Sequence, residues 1–204
     1  MKKVKYIILK EGFRSVSLDG IKSFTVENLA SKLAMSKKTI YQYFPKKEIL
    51  IKKIIDFRMK GLIDEFNEII KQETDAIIQI IKIREHNIKI ANKMSLQKLR
   101  YLKTRYPEIW EIIEKYRLDR KNIYNQIFIL AEEQGYLRNS LNPTVCATLY
   151  MNIFNSTFQP EFMTDNNLTI EQTIEHLQCI LFNGIFNNKG IKRMQTYIEN
   201  CLKD

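Results

Sequence analysis

Residues 25–50, TVENLASKLAMSKKTIYQYFPKKEIL, decide how this chain is read. Val26, Leu29, Ala30 and Leu33 recur at i, i+3, i+4 and i+7, so one stripe of a short helix is apolar, and Thr25 stands at its N-cap. Ala34-Met35-Ser36 supplies a turn. Ser36 then caps a second helix reaching about Phe44, with Ile40 and Phe44, four residues apart, as its buried positions. The other side chains of that helix are polar or aromatic with a polar tip. Two short helices, a tight turn and the start of a third spell a helix-turn-helix DNA reader.

Helical geometry sorts the exposed residues by role. At about 100° per residue, with Ile40 at zero, Phe44 falls nearby while Lys38 and Gln42 fall almost opposite, deepest in a major groove. Thr39 and Tyr41 flank them, and Lys37 and Tyr43 lie nearer the core edges, within reach of phosphates. Lysine suits the guanine O6/N7 acceptors and glutamine the adenine N6/N7 pair. Lys46 and Lys47 open the next helix, where backbone amides already favour a phosphate, and Glu48 in that first turn stabilises the helix itself. With the caps Thr25 and Ser36 included, the candidate DNA-binding set is Thr25, Ser36, Lys37, Lys38, Thr39, Tyr41, Gln42, Tyr43, Lys46 and Lys47. A solvated lysine or a packing tyrosine is the plainer account of any one of them; their joint pattern favours DNA.

Charge agrees with the motif. Residues 1–60 hold 15 Lys and Arg against 5 Asp and Glu, whereas the remaining 144 hold 18 of each, so the whole net charge of +10 lies with the helix-turn-helix. Counterion release at a phosphate backbone favours such a segment. At 204 residues and 45% hydrophobic content the chain is long enough for a small domain joined to a larger one. The apolar run at residues 6–9 is too short for a signal-peptide core, and no run approaches membrane-spanning length. Three cysteines, Cys146, Cys179 and Cys201, lack metal-type spacing, so the expected setting is cytoplasmic and reducing. No phosphate-binding glycine loop, nucleophile elbow or paired-histidine motif occurs, which argues against an enzyme. His176 and Cys179 share a helix face but lack an obvious third ligand, so neither metal nor cofactor is expected.

Six glycines, four prolines and no sustained two-residue alternation make the chain all-α. A first helix is predicted over residues 3–17, ending near Asp19-Gly20. Helix 4 follows Pro45 and carries Leu50, Ile54, Phe57, Leu62, Phe66 and Ile69 on one side, long enough to join two bodies. A second long helix is predicted over residues 74–102. Pro107 then sits at an N1 position, Gly135 caps the helix ending AEEQ, Asn142 caps the next, and Pro160 stops it. Thr169 to Gln172 fits a capping box for a helix reaching about residue 188, with Gly190 ending it. A last short helix aligns Ile191, Met194, Ile198 and Leu202. The domain division expected is 1–50 for DNA binding and 51–204 for the remainder.

Gly20-Ile21, Phe24-Thr25-Val26, Leu29-Ala30, Ser36, Thr39-Ile40-Tyr41, Tyr43-Phe44 and Lys47-Glu48 together resemble the N-terminal domain of the TetR family of bacterial transcriptional regulators, over about residues 5–55. Met35, Lys46 and Gly12 depart from that pattern, Gly12 standing where alanine is frequent. The resemblance implies a homodimer of all-helical subunits, each with an N-terminal DNA-binding domain joined by helix 4 to a larger effector-binding and dimerisation domain. Such proteins mostly repress, releasing a palindromic operator when a small molecule binds. Residues 180–190 are similar to a recurring family segment. By the same likeness, helices at about 143–158 and 170–188 form an intersubunit four-helix bundle, and Leu149, Ile153, Ile174, Leu177, Leu181 and Ile185 divide between core and interface.

Trp110, Tyr116, Phe128, Tyr150, Met151, Phe154 and Phe158 concentrate large apolar side chains on the middle helices. Such residues line ligand pockets, and equally they pack cores. The reading is a ligand-responsive repressor that binds double-stranded operator DNA as a homodimer and takes an apolar or aromatic effector. The competing class is a basic helical module that binds a membrane surface or a protein partner through its first 60 residues.

Overall fold

Capping and turn residues divide the chain into α1 (Lys2–Asp19), α2 (Val26–Lys32), α3 (Lys37–Tyr43), α4 (Lys47–Gln72), α5 (Ala76–Ala91), α6 (Leu96–Arg105), α7 (Pro107–Asp119), α8 (Lys121–Glu133), α9 (Pro143–Thr157), α10 (Pro160–Asp165), α11 (Ile170–Ile185) and α12 (Asn188–Cys201). The computed structural model describes residues 2–92 and 94–201, and among these the only extended pairing is one antiparallel bridge, Leu137 to Phe186. The fold is all-α. It divides into two compact units, residues 1–62 with 97–113, and residues 63–96 with 114–204. The division falls within α4, whose first turns bury Leu50, Ile51, Ile54 and Ile55.

The first unit is built from α1, α2, α3 and the start of α4 around Ile8, Leu29, Ile40 and Ile54, all fully buried. α1 runs to Asp19 and is stopped by Gly20, whose φ of +80° is the left-handed conformation that glycine adopts without a Cβ penalty. Gly12, the departure from alanine noted in the sequence, has a packing reason. A Cβ there would lie 2.5 Å from Ile54 Cδ1 and 2.9 Å from Ile54 Cγ1, so the missing side chain lets α1 and α4 approach.

In the second unit, α8 lies along α9, and α5 packs against α8, α11 and α12. Asp75 caps α5 by accepting from the Ile77 and Ile78 amides, and its other carboxylate oxygen accepts from Arg193 Nε at 2.7 Å. Gln134 holds the same helix start, accepting from the Ala76 amide and donating to Thr74 O. Asn142 and the Thr169–Gln172 capping box act as the sequence predicts, and Gly135 is left-handed at φ +70°.

Three expectations are corrected. The helix predicted over 74–102 is two, α5 and α6, because the chain turns after Ala91, with Asn92 as C-cap. α11 ends at Ile185, earlier than expected, since Phe186 is extended and Arg138 N–H donates to Ile185 O at 3.1 Å. Gly190 does not end that helix but lies in the first turn of α12, where a Cβ would sit 3.0 Å from Tyr136 O. The Leu202 end of the last apolar stripe lies outside the described residues.

The contact at Gly12 is testable. Gly12→Ala gains about 1 kcal/mol of helix propensity but introduces overpacking that typically costs about 1–3 kcal/mol. We expect a Tm lowered by a few degrees. Ile54→Val, which removes Cδ1, should then cost less in the Gly12→Ala background than in the wild type; strictly additive effects would reject the contact.

Candidate nucleic-acid interface

Thr25 Oγ1 accepts from the Asn28 amide at 3.1 Å and starts α2; Ser36 Oγ accepts from the Thr39 amide at 3.0 Å and starts α3. Caps of this kind contribute about 1 kcal/mol each, a large share for helices of two turns. Ser36 Oγ also lies 2.9 Å from Thr39 Oγ1, so both hydroxyls already have local partners. Between the helices Ala34 adopts φ +50°, a left-handed turn residue that the sequence reading did not identify because nothing in its type requires it.

Packing then fixes the orientation of α3. Ile40 is fully buried, and Phe44, just past the helix end in an extended conformation, is buried with it. Lys38 and Gln42 are exposed on the opposite side with Tyr41 exposed on the flank, Tyr43 and Thr39 are half-buried, and Lys46 and Lys47 bracket the start of α4. The structure thus puts the whole sequence-derived set on one module, with Thr25 and Ser36 as caps.

The ion pairs within the module were not evident from sequence. Lys37 Nζ donates to Glu27 Oε1 at 2.5 Å, linking α3 to α2 across ten residues. That hydrogen bond, foremost, holds the Glu27 carboxyl below its usual range and raises Lys37 above its own. Lys32 is likewise engaged, donating to Ser15 Oγ at 3.1 Å and to Asp19 at 3.4 Å. Only the helix-turn-helix geometry brings these residues together.

The aromatic set separates by unit. Trp110 belongs to the first, buried with Lys103 Nζ 5.7 Å from its ring centroid. Tyr116 is half-buried on α7 in the second. Phe128, Tyr150, Met151, Phe154 and Phe158 are buried there, and four of them form one chain of rings: Phe128 to Tyr150 at 6.1 Å, Tyr150 to Phe154 at 6.3 Å, Phe154 to Phe158 at 4.3 Å. Among the described residues no three His, Cys, Asp or Glu side chains are grouped to hold a metal ion, and no helix is long and apolar enough to cross a membrane.

Residues 8–54 match the sequence profile of the bacterial regulatory proteins of the tetR family. The HTH-type transcriptional regulator YvaF of Bacillus subtilis (strain 168), itself uncharacterized, is 26% identical over 183 residues, covering 87% of this chain and 93% of YvaF. Among solved structures, a transcriptional regulator from Cytophaga hutchinsonii ATCC 33406 superimposes with a TM-score of 0.70 at 16% identity, covering 92% of this chain and 100% of the other. A Saccharomonospora viridis protein in complex with choline has the same fold, with a TM-score of 0.61 at 15% identity over 92% of this chain and 100% of its own. With a capped helix-turn-helix carrying the motif residues and a helical remainder of matching fold, residues 8–54 form a DNA-binding domain of the tetR family of bacterial regulatory proteins.

Proposed function

We propose that this protein is a ligand-responsive, non-enzymatic repressor of the cytoplasm that docks as a homodimer on a palindromic operator. The carrying observation is the exposed face of α3, where Lys38 and Gln42 stand opposite the buried Ile40 in a segment that holds the chain's entire positive excess. Lys38 reads guanine and Gln42 adenine, with Thr39 and Tyr41 beside them; Tyr43, Lys46 and Lys47 hold phosphates. Thr25 and Ser36 contribute by fixing the helices, and Lys37 reaches a phosphate only by leaving Glu27.

Dimerisation is supported by an apolar stripe on α9 that the single subunit leaves open. Val145, Leu149 and Ile153, at i, i+4 and i+8, are 54%, 56% and 39% exposed, and Ile180 on α11 is 70% exposed. A two-fold axis pairing α9 and α11 with their copies covers all four residues. The buried rings of Phe128, Tyr150, Phe154 and Phe158, with Met151 and the half-buried Tyr116, suit a small apolar or aromatic effector, and Trp110 lies on the same α7 as Tyr116. The choline-bound neighbour supports small-molecule binding in this fold. Effector binding in the second unit shifts α4 and with it the spacing of two reading heads, which must match half-sites about 34–36 Å apart or a multiple of it. The effector must favour one of the two states.

Mobility shift with the DNA upstream of its own coding region tests the reading. Lys38→Ala and Gln42→Ala should each lose discrimination of about 1–3 kcal/mol at one or two base positions, and unchanged sequence preference would reject their assignment. Lys47→Ala should weaken binding to all sequences and reduce the salt slope by about one. Glu27→Gln should instead tighten binding several-fold and steepen that slope; no change would show that Lys37 makes no phosphate contact. Sedimentation of a Leu149→Asp, Ile180→Asp variant should give a monomer, and a persistent dimer would exclude the α9 and α11 surface.

A further inference from the structure

Arg120 stands at the N-cap of α8 with only 9% of its surface exposed, inside the second unit. Its guanidinium lies 5.5 Å from the ring centroid of Phe66 and 5.3 Å from that of Phe154. It donates to Asn87 Oδ1 at 3.3 Å, a neutral acceptor, and among the described residues no carboxylate pairs with it. Arginine keeps its charge at physiological pH, and a buried charge without a counter-charge is costly. A counter-charge carried by a ligand would offset that cost.

The surrounding atoms point the same way. Asn87 Nδ2 and Gln178 Oε1 are buried without a hydrogen-bond partner, and Gln178 is 1% exposed. Gln178 Nε2 donates to the Tyr150 hydroxyl at 3.1 Å, and the Tyr150 and Tyr124 rings meet at a tilt of 40° with centroids 4.4 Å apart. Burial, foremost, raises the pKa of both phenols, which also hydrogen-bond to each other, so both stay protonated. Arg117, donating to Phe158 O at 3.0 Å, is pushed down to about 10 by burial first and the Arg120 charge second, against the opposing pull of Glu114.

We propose that Arg120, with Asn87, Tyr124 and Tyr150, is the head-group site for a monoanionic effector: one carboxylate carried on an apolar or aromatic body. This rests on the ligand-responsive reading above and names the effector's chemical class. The guanidinium fork matches a carboxylate in two parallel hydrogen bonds, and Asn87 Nδ2 and the phenols supply further donors. The stacked rings of Phe154 and Phe158, 4.3 Å apart, suit the apolar body. A neutral or cationic effector would leave the buried guanidinium uncompensated, and a phosphate dianion would bring excess negative charge among the phenols.

Calorimetry and thermal shift on the full-length protein decide the matter, using octanoate and 3-phenylpropanoate against octan-1-ol, 3-phenylpropan-1-ol, octyltrimethylammonium and octyl phosphate. We expect each carboxylate to bind at least about tenfold tighter than its alcohol and than the other two heads. Arg120→Met should erase that preference while leaving the ligand-free Tm equal or higher, since an apolar chain replaces an uncompensated charge. An arginine with a purely structural role would instead lower Tm when replaced. Arg120→Lys, which keeps the charge but loses the fork, should weaken carboxylate binding about tenfold and serves if the methionine variant does not fold. No carboxylate binding, equal binding of alcohols, tighter octyl phosphate, or an intact preference in these variants would overturn the proposal. Carboxylate binding that leaves DNA affinity unchanged would overturn the ligand-responsive reading and keep the site; DNA release by the alcohols alone would do the reverse.

Discussion

α4 is one uninterrupted helix that supplies fully buried side chains to two separate cores, Ile54 to the first unit and Phe66 to the second. A 26-residue helix is about 39 Å long, and no proline interrupts it. The constraint reaches back to α1, where Gly12 leaves room for Ile54. It also reaches forward to Arg120, whose guanidinium faces the Phe66 ring.

The DNA-reading module is small and depends on local devices. Two hydroxyl caps begin α2 and α3, one alanine takes a left-handed turn between them, and Ile40 sets which face of α3 is exposed. Electrostatics then divides the lysines. Lys32 and Lys37 hold helices together through acids and a serine, while Lys38 and Lys46 are exposed. A count of charges treats these groups alike; their partners separate them.

The second unit follows a different logic. Its core is aromatic, Tyr150 being within ring-contact range of Tyr124, Phe128, Phe154 and Phe182, yet it encloses a guanidinium and two amide side chains with unmet hydrogen-bonding capacity. Interiors of this kind are stabilised less than all-apolar ones of equal volume. The aromatic residues are recognisable in the sequence as a group, but Trp110 belongs to the first unit, and nothing in the sequence around Arg120 marks it as buried. A charged residue between two helices reads as solvent-exposed unless the tertiary packing is known.

Periodicity, caps and punctuation were enough to find the all-α class, the helix-turn-helix, the α9 and α11 starts and the outward position of Lys38 and Gln42, because these depend on neighbours within about four residues. The break between α5 and α6 and the early end of α11 escaped, since Asn92 is a weak stop signal and Phe186 is pulled extended by pairing with Leu137, 49 positions away. Gly190, read as a stop, is instead a close approach to Tyr136 O. The sequence alone thus determined the helix-turn-helix and which face of α3 is left exposed. Only tertiary structure decided which lysines are already paired, why Gly12 has no side chain, and that a cation lies buried among rings, because each of these is set by residues distant along the chain and adjacent in space.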